Sequence, residues 1–312
     1  MRRGGVIIGS DNTLYGKDGW LYSIDRNELE QYSLAELANY SLTLQKAAEK
    51  IHSIGANKKV IFQYCPGPMR VYPENIPESF NQYKGENRTD GVVNYLREHL
   101  RNAYVTYALD DLRENKKKYE NYYKSDTHAN IMGSYIMWQA IQKICDIKQT
   151  PVEELKPKQV SVKNRRAYGN NLTAVIGEPL GRFDPIDWQF DYKSEVKVKS
   201  GENIVNYSPF STVPEDFNKQ YIHTSNATSQ KSILMIGDSY LAPQNYFSAK
   251  DFSRVDMCLL NQVPNTFQTY ELNVIKQKII DADVIVIEGA HSIASRHNDI
   301  MAVCKRITEA LS

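Results

Sequence analysis

Three runs that are apolar almost without interruption constrain this chain more than any other feature: Val60–Cys65 in KKVIFQYCP, Ile233–Gly237 in KSILMIGDSY and Val284–Ile287 in DVIVIEGA. Apolar residues in succession, without polar alternation, need cover on both faces, the condition of a strand inside a helix-flanked parallel sheet. Helical patterns surround them. One opens at Ser33 with Glu36 three residues on, a capping box, and carries Leu34, Leu37, Ser41, Leu44, Ala48 and Ile51 on one stripe up to Gly55. Others cover about residues 89 to 101, the charged stretch DDLRENKKKY, the apolar face of Ile131, Met132, Tyr135, Ile136, Trp138, Ile141, Ile144 and Cys145, the stretch YELNVIKQKII, and a final segment ending at Leu311. Strands alternating with helices predict an α/β chain: a three-layer α/β/α arrangement around a mostly parallel sheet.

The pattern weakens between Pro151 and about Gln230, where the charged alternating SEVKVKS, several prolines and the polar YIHTSNATSQ replace it. This segment reads as a β/loop insertion, residues 151–230, covering one edge of a single domain that spans residues 1–312.

Composition excludes some classes. With 41% hydrophobic and 24% charged residues and a net charge of +1, the chain has no field for capturing nucleic acid or an anionic membrane at range. Its 21 tyrosines and 3 tryptophans suit sugar-binding surfaces as well as ordinary packing. Cys65, Cys145, Cys258 and Cys304 are too scattered for a disulfide scaffold and form no C-x-x-C pattern, so buried free thiols are expected. The apolar run near the start, GVII, is too short for a signal peptide, and no 18-residue apolar stretch occurs. No nucleotide-binding glycine motif is present, and Asp126 with His128 lacks a second cluster to complete a metal site, so neither cofactor nor metal is expected.

Ligands of such sheets bind at the carboxyl ends of the strands. Four features fall there or at helix starts: CPGPMR, SDTHAN, GDSY and EGAH. In GDSY, Ser239 follows a buried strand through Gly237 and Asp238, with its hydroxyl exposed and its N–H free to donate, as a nucleophile with an oxyanion donor requires. A serine needs a base. His52 and His99 fall on polar helix positions, His223 in the insertion and His297 near the start of the last helix, where a surface role is the default. His128 and His291 remain, each with an acidic neighbour, Asp126 or Glu288. Read alone, Asp126 serves equally as a helix cap, and so does the Asp238–Ser239 pair.

GKDGWLYSID, YYKSDTHAN with its following GSYIMWQAI, GNNLT and ILMIGDSY occur in an order that resembles the alginate O-acetyltransferase AlgJ/AlgX type of SGNH-hydrolase-like proteins. The resemblance covers most of the chain in outline. It implies that Asp126 orients His128, that His128 deprotonates Ser239, and that Ser239 takes up an acyl group. The order Asp, His, Ser reverses that of ordinary SGNH esterases, which triad chemistry permits. The Glu288 and His291 pair echoes the C-terminal acid and histidine of those esterases and stands as the alternative. Ser239 N–H is the first oxyanion donor; Asn261 or Gln262, after the next strand, is a candidate for the second. Arg70, in the loop where the resembling proteins carry a basic residue, and Tyr240, where they carry phenylalanine, complete the candidates around the substrate. Two departures stand out. Ala129 occupies the place of a tryptophan beside the histidine, which predicts a wider acceptor cleft or a degenerate site, and GNNL replaces GDL. The resemblance implies an O-acetyltransferase with an extracytoplasmic polysaccharide or glycan acceptor and a membrane-bound acetyl-donor partner. Its alternatives are a carbohydrate O-acetyl esterase and a non-catalytic glycan-binding protein.

Overall fold

The computed structural model describes residues 7–8, 12–161, 171–172, 186–190, 197–200, 203–206, 220–260, 266–290 and 295–312. Thirteen strands lie among them: β1 Ile7–Ile8, β2 Thr13–Tyr15, β3 Leu21–Ser23, β4 Lys59–Cys65, β5 Tyr104–Tyr107, β6 Lys158–Ser161, β7 Ile186–Gln189, β8 Lys197–Ser200, β9 Asn203–Asn206, β10 Gln220–His223, β11 Ser229–Gly237, β12 Phe252–Leu259 and β13 Val284–Ala290. The helices among them are α1 Leu34–Ile54, α2 Pro68–Val71, α3 Arg88–His99, α4 Leu109–Asn115, α5 Ile131–Ile144, α6 Leu241–Asp251, α7 Thr266–Thr269, α8 Leu272–Asp281 and α9 Ser295–Ala310.

The main sheet has the order β5-β4-β13-β11-β12-β10-β8-β9. Its first five strands are parallel, and β10, β8 and β9 continue it antiparallel from the β12 edge. The three apolar runs of the sequence are its adjacent central strands β4, β13 and β11. Successive side chains of each enter opposite cores, as a period of two requires. Ile61, Val284, Val286, Ile233 and Met235 pack with Ile136 and Trp138 of α5 and Phe247 of α6. Val60, Phe62, Ile285, Ile287, Leu234 and Ile236 pack with Leu44 and Ile51 of α1, Val93 and Leu96 of α3, and Ile300 and Val303 of α9. This is the three-layer arrangement expected.

Local signals agree in detail with one exception on α1. Ser33 and Glu36 form their reciprocal cap, and Asn87 and Asp90 form a second one on α3. Leu34, however, is 76% exposed, because as the first helical residue it stands outside the turn at which the buried stripe begins; Tyr40 and Ala47 join that stripe instead. All four cysteines are buried free thiols. No helix among the described residues is long and apolar enough to cross a membrane.

His297 is buried, not at the surface. It lies among Tyr32, Tyr40 and Tyr64, with Nδ1 3.3 Å from the Tyr32 hydroxyl. Burial, and then the cation of Arg88, lower its pKa to about 4. The unfolded chain therefore binds a proton that the folded one refuses between about pH 6.5 and pH 4. The contribution of His297 to stability is complete above that window, and about 3 kcal/mol of it is lost as pH drops through it. Between denaturant titrations at pH 7 and pH 4 the wild type is expected to lose about 3 kcal/mol more than His297→Phe, a difference that isolates the histidine from oppositely shifted groups such as Glu28.

Candidate active site

Level strand ends create the site. Register sets Ile236 of β11 beside Ile287 of β13, and Glu288 of β13 beside Gln63 of β4, so the chain leaves the sheet at one edge carrying Gly237-Asp238-Ser239. Asp238 N–H donates to Glu288 Oε2 at 2.9 Å, and Asp238 Oδ1 accepts Tyr240 N–H at 2.9 Å. The amides before and after Ser239 are thus committed, while Ser239 N–H has no partner among the described residues. Gly237 is present for space rather than for an unusual backbone angle: a Cβ there would lie 2.4 Å from Glu288 Oε2.

The loop Asn121–Asn130 brings the other two residues. Its ends are closed by the Tyr122 and Ala129 bridge and by Asn130 N–H donating to Asn121 O at 3.0 Å. Asn130, not Asp126, caps α5, its Oδ1 accepting Gly133 N–H at 3.1 Å. Asp126 is instead turned onto the histidine. Its Oδ1 accepts from His128 Nδ1 at 2.7 Å and His128 N–H at 3.0 Å, and His128 Nε2 lies 2.8 Å from Ser239 Oγ. A carboxylate only accepts, so Nδ1 carries the hydrogen and Nε2 is left to accept that of the serine. Asp126 is fully buried, His128 and Ser239 partly so.

Several distant segments hold this loop. Leu21 N–H, in GKDGWLYSID, donates to Lys124 O at 2.7 Å, while Trp20 packs on Tyr72 with ring centroids 4.3 Å apart. Buried Asp187, from the 151–230 segment, accepts from the Tyr123 hydroxyl at 2.6 Å and Ile131 N–H at 2.9 Å. Asn171, in the divergent GNNL, makes three contacts. Its N–H donates to Asp126 Oδ2 at 3.0 Å, its Oδ1 accepts Thr127 N–H at 3.1 Å, and its Nδ2 donates to Thr127 Oγ1 at 2.8 Å. No residue pattern singles out Asp187 or Asn171; only the departure at GNNL points toward one of them.

Other candidates are placed differently. Arg70 is buried in an ion pair with Asp90 at 2.8 Å and donates to Lys84 O at 3.2 Å and Gly85 O at 2.6 Å, so its guanidinium is engaged within the fold. The Tyr240 hydroxyl donates to Thr127 O and its ring lies 5.5 Å from that of His128; with its N–H on Asp238, it props the histidine and is no oxyanion donor. Ala129 is buried, and a Cβ on Gly133 would lie 3.1 Å from its own; its side chain faces the core, so the missing tryptophan does not widen a cleft. Glu288 is buried beneath the serine turn. Asn261, Gln262 and His291 lie outside the described residues. Among the described residues no group of three or more His, Cys, Asp or Glu side chains is placed to hold a metal ion.

The profile of the family described as SGNH hydrolase-like domain, acetyltransferase AlgX, matches residues 13–250. Solved structures share the fold at low identity. A DHHW family protein from Eubacterium siraeum has a TM-score of 0.68 at 14% identity, over 97% of this chain and 98% of its own. PatB1 of Bacillus cereus has 0.59 at 13%, over 93% and 97%. The O-acetyltransferase domain of Pseudomonas putida AlgJ has 0.50 at 15%, over 90% and 91%. A comparison with curated proteins finds no match.

Two substitutions test these placements. Arg70→Met strands the Asp90 carboxylate and is expected to cost about 3–5 kcal/mol in denaturant titration, with turnover per folded molecule unchanged. Asn171→Ala removes two bonds to Thr127 but keeps the backbone bond to Asp126. A loss of about 1 kcal/mol in transition-state stabilisation, roughly fivefold in kcat for a small acetyl ester, is expected with little change in melting temperature.

Proposed function

The chain belongs to the family of SGNH hydrolase-like domains of the AlgX acetyltransferase type, and we propose that it is a serine-dependent O-acetyltransferase acting on hydroxyls of an extracytoplasmic polysaccharide or glycan. The observation that carries this reading is the hydrogen-bond chain from Asp126 through His128 to Ser239, with links of 2.7 and 2.8 Å.

Its chemistry follows from that chain. Ser239 Oγ attacks the donor's acetyl carbonyl as its hydrogen passes to His128 Nε2. Asp126 holds the Nδ1–H tautomer and stabilises the imidazolium that forms. The oxyanion takes a hydrogen bond from Ser239 N–H. Collapse expels the donor's leaving group, which takes the proton from Nε2. A sugar hydroxyl then gives its proton to Nε2 and attacks the acetyl-serine ester; collapse frees Ser239, to which the proton returns. The donor in this reading is an acetyl-carrying membrane protein.

An O-acetyl esterase uses the same residues, with water in place of the sugar hydroxyl. The non-catalytic reading rested on Ala129, whose side chain faces the core.

The test incubates wild type and Ser239→Ala with p-nitrophenyl acetate, with and without candidate glycans, following acetate release and glycan mass. Ser239→Ala is expected to lower turnover roughly a thousandfold or more, and wild type to add acetyl mass to a glycan. Acetate release indifferent to every glycan assigns the esterase; turnover surviving in Ser239→Ala rules out both.

A further inference from the structure

Glu288 is the place where the run Val284–Ile287 stops being apolar. The four preceding side chains fill the two cores alternately, and then a carboxyl group is set into the centre of the sheet with no exposed surface. Removing a carboxyl from water is costly, so such a residue persists where directional bonds offset the cost.

One of those bonds reaches the serine turn. Glu288 Oε2 accepts Asp238 N–H at 2.9 Å, one residue before the serine. Gly237 has given up its side chain to let the carboxyl come this close; a Cβ would stand 2.4 Å from Oε2 and 2.8 Å from Glu288 Cβ. The neighbouring Cys65 thiol is pushed well up, by burial first and then by the Glu288 and Asp238 carboxyls, and stays neutral. Level with Glu288 on β4, Gln63 donates to Gln244 Oε1 at 3.0 Å, and Gln244 Nε2 donates to Tyr240 O at 3.3 Å. Buried polar groups of the sheet and of α6 therefore tie both flanks of the turn, and the Ser239 N–H between them faces no acceptor among the described residues.

From this we infer that Glu288 is a positioning residue: through Asp238 N–H it fixes the turn so that Ser239 N–H is aimed at the oxyanion, and it acts by hydrogen-bond geometry, not as an acid or base. The inference rests on the serine acyl-transfer reading above. It assigns Glu288 a different part from the one it has when paired with His291. The distinction is sharp because geometry and charge predict opposite orders for two small substitutions. Glu288→Gln keeps the reach and an accepting oxygen but removes the charge. Glu288→Asp keeps the charge and withdraws the oxygens by one methylene.

The experiment measures kcat, KM and the pH profile of kcat for p-nitrophenyl acetate hydrolysis in wild type, Glu288→Gln, Glu288→Asp and Ser239→Ala, with folding checked by circular dichroism melts. Glu288→Gln is expected to keep kcat within about threefold and to leave the pH profile unmoved. Glu288→Asp is expected to lose roughly tenfold to a hundredfold in kcat with KM nearly constant, a fraction of what deleting an oxyanion donor costs. The inference is overturned if Glu288→Asp turns over as the wild type while Glu288→Gln fails, if Glu288→Gln loses a limb of the pH profile, or if both variants only melt earlier with kcat per folded molecule unchanged. Turnover persisting in Ser239→Ala overturns the acyl-transfer reading itself, whereas an inactive Ser239→Ala beside a fully active Glu288→Asp overturns the role of Glu288 alone.

Discussion

Burial of β4, β13 and β11 on both faces is the constraint from which the rest of the structure follows. Each strand can satisfy its backbone only by pairing with its neighbours and its side chains only by filling two cores at once. Those two demands fix the register, since a slip of one residue would exchange every side chain between the cores. A fixed register in turn sets the three carboxyl ends level, so that Gln63, Glu288 and Gly237 become neighbours across the sheet. The serine turn stands on that level ground.

The second half of the site is built by a different route. Beyond the Tyr122–Ala129 bridge that closes its ends, the loop from Asn121 to Asn130 is held by hydrogen bonds from segments far away in the chain. Leu21 grips Lys124, Asn171 grips Asp126 and Thr127, Asp187 grips Tyr123, and Tyr240, next to the serine itself, grips Thr127. Because Tyr240 is bonded to the loop and anchored in the serine turn, Ser239 and His128 are tied to each other directly as well as through the sheet. A serine–histidine bond spanning 111 residues is thereby held by parts that are each local.

Legibility of this site in the sequence followed physical lines. Residue types able to do acid, base and nucleophile work, falling at predicted strand ends and helix starts, put Asp126, His128 and Ser239 on the list beside Glu288 and His291; only the family resemblance singles out the first three as a set. Where the reading went astray, the deciding quantity was the direction of a side chain. The place of Ala129 beside the histidine suggests a side chain facing a cleft, yet its Cβ lies against Gly133. Arg70 has the right chemistry for a substrate contact, but Asp90 and two carbonyl groups engage it first. His297 was expected at the surface from its place near a helix start, and it lies inside because Tyr32, Tyr40 and Tyr64 converge there from α1, its approach and β4.

By itself, the sequence determined the three-layer sheet, the capped helices and the short list of groups able to do chemistry, because each is written in the spacing of residues close together in the chain. Which members of the list meet was decided only in the tertiary structure. The separation between Ser239 and His128 depends on strand register and on a loop tied down by Leu21, Asn171, Asp187 and Tyr240, from four other segments. No local pattern encodes such a distance; it exists only once the cores have closed.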